Sequence, residues 1–264
     1  MLTVLANIDA IYRKELQGYF KSPLAGAIAG LFWLLTGLFF VLIVNYTISQ
    51  AAAADLGQSP APAPPDVATT ILQGFLSTMG SILLFVLPLL SMNLYAEERK
   101  RGTLELLATS PVTNWVVALG KLLAVVTFVF TLLLPIALLE VFVYLQAKPP
   151  LPPQIFLVGH LGVLLLAAAI LSLGMFISSL SDSAIFAAFF TFVLVLMLWI
   201  LDFLGQSLGG VAGTVLNHLS LLKHYTSLTQ GVLDSPSVVV FASYIVLGLF
   251  LTAQSTDLLR FQQS

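Results

Sequence analysis

Six apolar runs, each long enough to cross a bilayer, constrain this chain more than anything else in it. A helical span needs roughly 20 predominantly apolar residues. Runs of that kind lie at about 26–48, 70–95, 112–145, 155–178, 184–204 and 236–255. In hydrocarbon every backbone N–H and C=O must find its partner within the segment, so such runs become helices. The expected fold class is an all-α integral membrane protein with six transmembrane helices. Composition agrees: of 264 residues, 59% are hydrophobic and only 8% are charged, where a soluble domain carries about a quarter. The sequence has no basic stripe for nucleic acid, and with no cysteine it has no disulfide, thiolate metal site or cysteine nucleophile.

Residues 3–22 read differently. Leu5, Ile8, Ile11, Tyr12, Leu16, Tyr19 and Phe20 recur at helical spacing, with Arg13, Lys14, Gln17 and Lys21 elsewhere on the wheel. A helix of that pattern lies in the membrane interface rather than across it. Ser22-Pro23 breaks it, because the residue before proline avoids the α region. The charges Arg13, Lys14, Glu15 and Lys21 do not suit a cleavable signal peptide.

The connections are distinct in character. Ala51 to Asp66 is rich in Ala and Pro and holds no Lys or Arg, which predicts an irregular loop. Lys148-Pro149-Pro150-Leu151-Pro152-Pro153 is a stiff loop, and Ser178 to Ser183 is a tight polar turn. Pro135 predicts a kink in the third span. Residues 205–235, with Gly205, Gly209, Gly210 and Gly213, are less apolar and read as an extracytoplasmic segment. Six spans place both termini on one side. Eight of the ten basic residues (Arg13, Lys14, Lys21, Arg99, Lys100, Arg101, Lys121 and Arg260) fall on that side, with only Lys148 and Lys223 opposite. The excess assigns the termini to the cytoplasm.

One dense charged island interrupts the apolar pattern: Glu97-Glu98-Arg99-Lys100-Arg101, followed by Gly102-Thr103-Leu104-Glu105-Leu106-Leu107. Glu97 to Arg101 and Arg101 to Glu105 are i,i+4 pairs, each worth about 0.2–0.5 kcal/mol in a helix. Gly102 lets the chain turn away from the second span, and Ser110-Pro111 resets it into the third. Between two spans on the cytoplasmic side, such a helix over 96–110 is a surface offered to a soluble partner.

Other candidates are weaker. Gly26 and Gly30 form a G-x-x-x-G pair with Gly37 near the same face, the small-residue pattern of helix contacts in lipid, within or between subunits. Gly205-Gln206-Ser207-Leu208-Gly209 matches a nucleophile elbow but follows an apolar helix instead of a strand, and the histidines precede the next acid. No P-loop string occurs; Gly120-Lys121 lacks its flanking residues. His160, His218 and His224 have no metal-ligand spacing. Lys121 and Glu140 are nineteen residues apart, roughly 28 Å along a helix, so one suits each interface of a core roughly 30 Å thick. Asp182 and Asp202 bracket the fifth span in the same way.

The island and its surroundings resemble the ABC-2-type permease family, in particular the branch of gliding-motility and copper-processing permeases. The resemblance rests on Glu97-Glu98-Arg99, Gly102-Thr103, Glu105, Leu107 and Pro111-Val112. Lys14-Glu15-Leu16, Tyr19-Phe20 and Ser22-Pro23 are similar to the family's opening segment, Gly120-Lys121 to the head of its third span, and His218 with Gly231-Val232-Leu233-Asp234 to its closing region. Ser235-Pro236-Ser237 departs from the charged, aromatic-containing stretch of the family.

The resemblance implies a single transmembrane domain over 1–264 of the ABC-2, or type V, exporter kind. Its elbow helix at 3–22 would use Lys14, Glu15, Tyr19, Phe20 and Pro23. Its coupling helix at 96–110 would engage an ATPase through Glu97, Glu98, Arg99, Arg101, Gly102, Thr103, Leu104, Glu105, Leu107 and Pro111. Two permeases, identical or not, would assemble with two cytoplasmic ABC ATPase subunits in a bacterial inner membrane. ATP and Mg would be held by those partners, with no catalytic residue, metal or cofactor on this chain. The path between permeases would be lined by side chains such as Phe32, Trp33, Phe39 and Phe40. A gradient-driven carrier, which needs a buried ionisable site, and a membrane anchor recruiting a soluble complex are the alternatives.

Overall fold

A computed structural model describes residues 2–58, 66–103, 113–148 and 150–261. The described residues form ten helices and no strand: α1 (Leu2–Lys21), α2 (Pro23–Asp55), α3 (Val67–Ser91), α4 (Ala96–Lys100), α5 (Asn114–Tyr144), α6 (Pro153–Leu180), α7 (Ala184–Leu208), α8 (Gly210–Leu219), α9 (Leu221–Thr229) and α10 (Ser235–Phe261). Six are long and apolar enough to cross a membrane: α2, α3 with its continuation to Lys100, α5, α6, α7 and α10.

The helix junctions follow local chemistry. At the α1–α2 break the Ser22 hydroxyl accepts from Ala25 N at 3.3 Å, and Pro23 occupies the first turn of α2, where its missing N–H costs nothing. Asp66 caps α3 by accepting from Ala68 N at 3.0 Å and Thr69 N at 3.2 Å. Where an irregular loop was expected from Ala51, α2 instead runs on through four alanines to Asp55. Alanine is the strongest helix former, and the helix stops only at Gly57, whose φ is +66°. The 33 residues of α2 are thus longer than the hydrocarbon core requires. Helix α5 passes Pro135 without ending. One turn before the proline, the Trp33 indole N–H donates to the Leu132 carbonyl at 2.9 Å.

Helix α6 is the centre of the bundle: 67% of its most apolar window is buried, against 17% for α7 and 28% for α2. It packs along α10, where the Ser172 hydroxyl donates to the Tyr244 carbonyl at 3.2 Å. The apolar core is built from α3, α5 and α6 with one face of α2. Phe32 and Phe40 belong to that core, Phe40 meeting Phe75 edge-on at 5.0 Å. Both are thus enclosed within this chain; of the four aromatics expected to line a path, only Trp33 and Phe39 are exposed.

The extracytoplasmic segment expected at 205–235 is folded back into the bundle. Gly209 and Gly210, at φ +61° and +60°, turn α7 into α8. The two helices approach so closely that a Cβ on Gly213 would lie 2.5 Å from the Gly205 carbonyl oxygen. Helix α9 then enters among α3, α6 and α7. Leu221, Tyr225 and Leu228 are buried there. The Tyr225 hydroxyl donates to the Leu76 carbonyl and its ring lies against Gly80, midway along α3. The mix of small, polar and apolar residues in this segment conceals an amphipathic helix that the bundle covers.

Candidate functional site

At the end of the bundle that carries α1 and α4, three helices converge on one ammonium group. Lys121, in the second turn of α5, is 2% exposed. Its Nζ donates to Glu15 Oε1 of α1 at 3.1 Å and to Glu98 Oε1 of α4 at 2.9 Å. It also lies 5.0 Å from the centre of the Tyr95 ring, a placement that attracts a cation to the aromatic face. Lys14 reaches the same two carboxylates at 3.5 and 3.9 Å from the exposed side. Two acids and two bases thus compensate one another. The buried lysine is a point charge shared between elbow and island, which are far apart in sequence.

Glycine allows this approach. A Cβ on Gly120 would lie 2.8 Å from Ile11 Cγ2 and 3.3 Å from the Ile8 carbonyl, so α1 crosses α5 with almost no side chain between them. Tyr19 fixes the other end of the elbow. Its ring stacks on Phe128 at 5.1 Å, and its hydroxyl donates to the Leu90 carbonyl at 2.9 Å. Burial first, and then the nearby Glu15 carboxylate, push the Tyr19 phenol up from its ordinary range, so it stays a neutral donor. Phe20 meets Phe128 edge-on at 5.4 Å.

The island is pinned on its other side to α6. The Ser178 hydroxyl accepts from Tyr95 N and Ala96 N, both at 3.0 Å, and donates to the Met92 carbonyl at 2.7 Å. It therefore satisfies the first N–H groups of α4, which a short helix leaves open. Arg99 donates from Nη1 to the Ser179 carbonyl at 2.8 Å.

Helix α4 spans only Ala96–Lys100, and Gly102, at φ +68°, turns the chain beyond it. Leu104, Glu105, Leu107 and Pro111 lie outside the described residues, as does the rest of the expected helix to 110. Glu97 and Arg101 form the expected i,i+4 pair. Together with Lys100, Gly102 and Thr103 they are exposed. A groove of about 750 Å³ runs between Glu97, Lys100, Arg101 and the turn at Asp182 before α7.

The structure thus brings Glu15, Tyr19, Glu98 and Arg99 into one connected junction and leaves Glu97, Arg101, Gly102 and Thr103 on its open face. Sequence reasoning missed the roles of Lys121, Ser178 and Tyr95. The interfacial reading of Lys121 concerns its depth alone; the side chain is enclosed, and its isolation within an apolar run is the signal the sequence offers. Glu140, assigned to the opposite interface, is 0% exposed, because α6 packs over it with His160 3.4 Å away. Gly26, Gly30 and Gly37 meet nothing within 4 Å of an added Cβ, so within this chain they form no close helix contact among the described residues.

A family model described as ABC-2 family transporter protein matches residues 45–206, from the second half of α2 to the end of α7. The chain belongs to the ABC-2 transporter family. As a member it is the multi-pass membrane component of an ABC transporter. The match is to the family as a whole and does not single out the gliding-motility branch. No curated protein matches the chain. The matched stretch contains α4, Lys121 and Ser178, so most of the junction lies within the ABC-2 region, with Glu15 and Tyr19 contributed from outside it.

Proposed function

We propose that this ABC-2 protein is the permease subunit of an ATP-driven exporter in a bacterial cytoplasmic membrane, with α1, α4 and both termini on the cytoplasmic side. It works with a second permease and two ATPase subunits, which hold the ATP and Mg. The ATPase engages the open face of the island at Glu97, Lys100, Arg101, Gly102 and Thr103, and the chain that follows. Movement of α4 is then passed along two routes. Lys121 transmits it to the elbow helix and to α5; Ser178 and Arg99 transmit it to α6, the central helix.

The observation that carries this reading is the buried Lys121 bridging carboxylates of α1 and α4. A charge kept out of water and paired at both sides is expensive to separate, so the three helices move together. The eight-to-two distribution of basic residues supports the orientation.

The test is reconstitution of the tagged protein with the ATPase subunits that copurify with it. Gly102→Pro removes the positive φ, which proline cannot adopt. The expected outcome is ATP hydrolysis that persists while its link to the permease is lost. Fully coupled turnover in that variant, or crosslinks from the island that reach no nucleotide-hydrolysing subunit, would count against the proposal.

A further inference from the structure

At the opposite end of the bundle from the island lies a group of polar atoms that the coupling junction does not use. Glu140, fully buried in the last turns of α5, has no hydrogen-bond partner for either carboxyl oxygen. His160 Nε2 of α6 faces it at 3.4 Å and is likewise unpartnered, as is the buried Tyr144 hydroxyl one turn further along α5. The other nitrogen of the ring settles what Nε2 carries. His160 Nδ1 lies 2.9 Å from the Phe156 carbonyl oxygen. A carbonyl only accepts, so Nδ1 bears the hydrogen, and a neutral ring then offers a lone pair at Nε2.

A lone pair facing a bare carboxylate is repulsive, and an unpaired carboxylate in an apolar interior is among the costliest groups to bury. One proton between the two atoms removes both difficulties. On either atom it makes the contact attractive and the pair neutral as a whole. The other titratable groups brought near Glu140 are Tyr144 from its own helix and Tyr225 from α9. Helices α1, α2, α3 and α10 also pack on α5, yet among the described residues they bring no cation within ion-pair distance of it.

A cavity adjoins the pair on the Tyr144 side. It measures about 540 Å³ and lies between the ends of α2, α3 and α5, with Asp66, Gln146 and Lys148 among its polar lining and Tyr144 in its wall. Tyr144 and Glu140 are four residues apart on one helical face. We propose that Glu140 and His160 form a proton-binding site that holds one proton between Oε1 and Nε2, filled from this cavity past Tyr144. The packing of α5 on α6 at this end is therefore proton-dependent. Loss of the proton leaves an anion facing a lone pair and loosens the two helices. The site does not rest on the ATPase reading and is tested without a partner.

The experiment is infrared difference spectroscopy on the full chain in phosphatidylcholine nanodiscs, titrated between about pH 5 and about pH 8 and then shifted to strong alkali. The wild type is expected to show one buried carboxylic-acid or imidazolium band that disappears in alkali. Glu140→Gln is expected to lose it, His160→Gln to lose an imidazolium band or to shift the carboxylic-acid band of a Glu140 left without its imidazole, and Tyr144→Phe to keep it while slowing its exchange with deuterium. Should one glutamine variant fail to fold, the wild-type titration and the other variant still decide. A wild type with no such band, or a band unchanged by both glutamine substitutions, overturns the proposal. So does a band abolished by added zinc at constant pH, which would make this a metal site.

Discussion

The two ends of the bundle bury ionisable groups in opposite ways. At the island end Lys121 is enclosed, but two carboxylates, each 19% exposed at the side chain, complete its shell, with only Glu98 Oε2 of their oxygens buried without a hydrogen-bond partner. At the far end Glu140 is enclosed more completely and faces one imidazole at 3.4 Å. The first arrangement joins three helices whose relative positions must be held. The second joins two helices through a contact that a single proton makes or unmakes. Burial alone does not tell a strut from a switch; the number of compensating partners does.

The largest expected effect tests the strut. Lys121→Met keeps the volume of the side chain and removes its charge, leaving Glu15 and Glu98 facing each other. Breaking a buried pair by deleting one partner costs about 3–5 kcal/mol, and the partial exposure of the carboxylates sets the expectation at the lower end of that range. A large drop in thermal unfolding temperature is expected, with recovery when Glu15→Gln and Glu98→Gln are added. An unchanged melting temperature in the single variant would show the bridge to be ornamental.

Ser178→Ala tests the island's second anchor. It strips a shared acceptor from two buried N–H groups, those of Tyr95 and Ala96, at an expected cost of about 1–3 kcal/mol. Faster hydrogen exchange confined to the start of α4 is the specific signature, since the Lys121 bridge remains. Loss of protection along α1 as well would mean that the two anchors form one cooperative unit.

These anchors show what the sequence made visible and what it did not. Run length announced the six spans because lipid demands self-satisfied helices, and the period of Ile8, Ile11, Tyr12, Leu16 and Tyr19 announced α1. The Glu97–Arg101 pair was legible because i,i+4 partners are neighbours on any helix. The bridge from Glu15 through Lys121 to Glu98 was not, because it depends on how three helices cross, and Gly120, which permits the crossing, looks like any other membrane glycine. The enclosure of Glu140 was hidden for a related reason. Lys121 and Glu140 do share one continuous helix, but height along a helix does not say which neighbour covers the side chain. Helix α9 was hidden because its environment, and not its composition, makes it an inward element.

Glu140→Gln sharpens the contrast from the other side. It replaces the carboxyl with a neutral amide of the same shape, whose N–H can donate to the His160 Nε2 lone pair, so no uncompensated charge is left behind. The expected change in stability at neutral pH is about 1 kcal/mol or less, several-fold less than for Lys121→Met. In alkali the variant should unfold at a higher temperature than the wild type. A loss as large as that of Lys121→Met would place Glu140 among the structural charges and erase the distinction between the ends.

The smallest effect concerns His224, a second buried histidine at the Glu140 end, which is fully paired where His160 is not. Its Nε2 lies 3.1 Å from the His218 carbonyl and its Nδ1 lies 2.9 Å from the Ser237 hydroxyl. A hydrogen on Nε2 serves the carbonyl, and Nδ1 accepts from the serine, so the neutral ring satisfies both contacts. Burial lowers the pKa of His224 below its ordinary 6.5, partly offset by the hydrogen bond to the His218 carbonyl. The folded state then binds this proton less readily than the unfolded state, so stability is retained above pH 6.5 and declines as the pH falls through that value toward the folded pKa. His224→Gln can donate to one neighbour and accept from the other without titrating, so a modest acid-side slope in melting temperature should flatten in that variant. The alkaline weakening attributed to the Glu140–His160 pair should persist in it, since the two sites lose their contacts at opposite ends of the pH scale. If both slopes vanished together, the pH response would belong to a single coupled network, and His160 and His224 would have to be counted as one site.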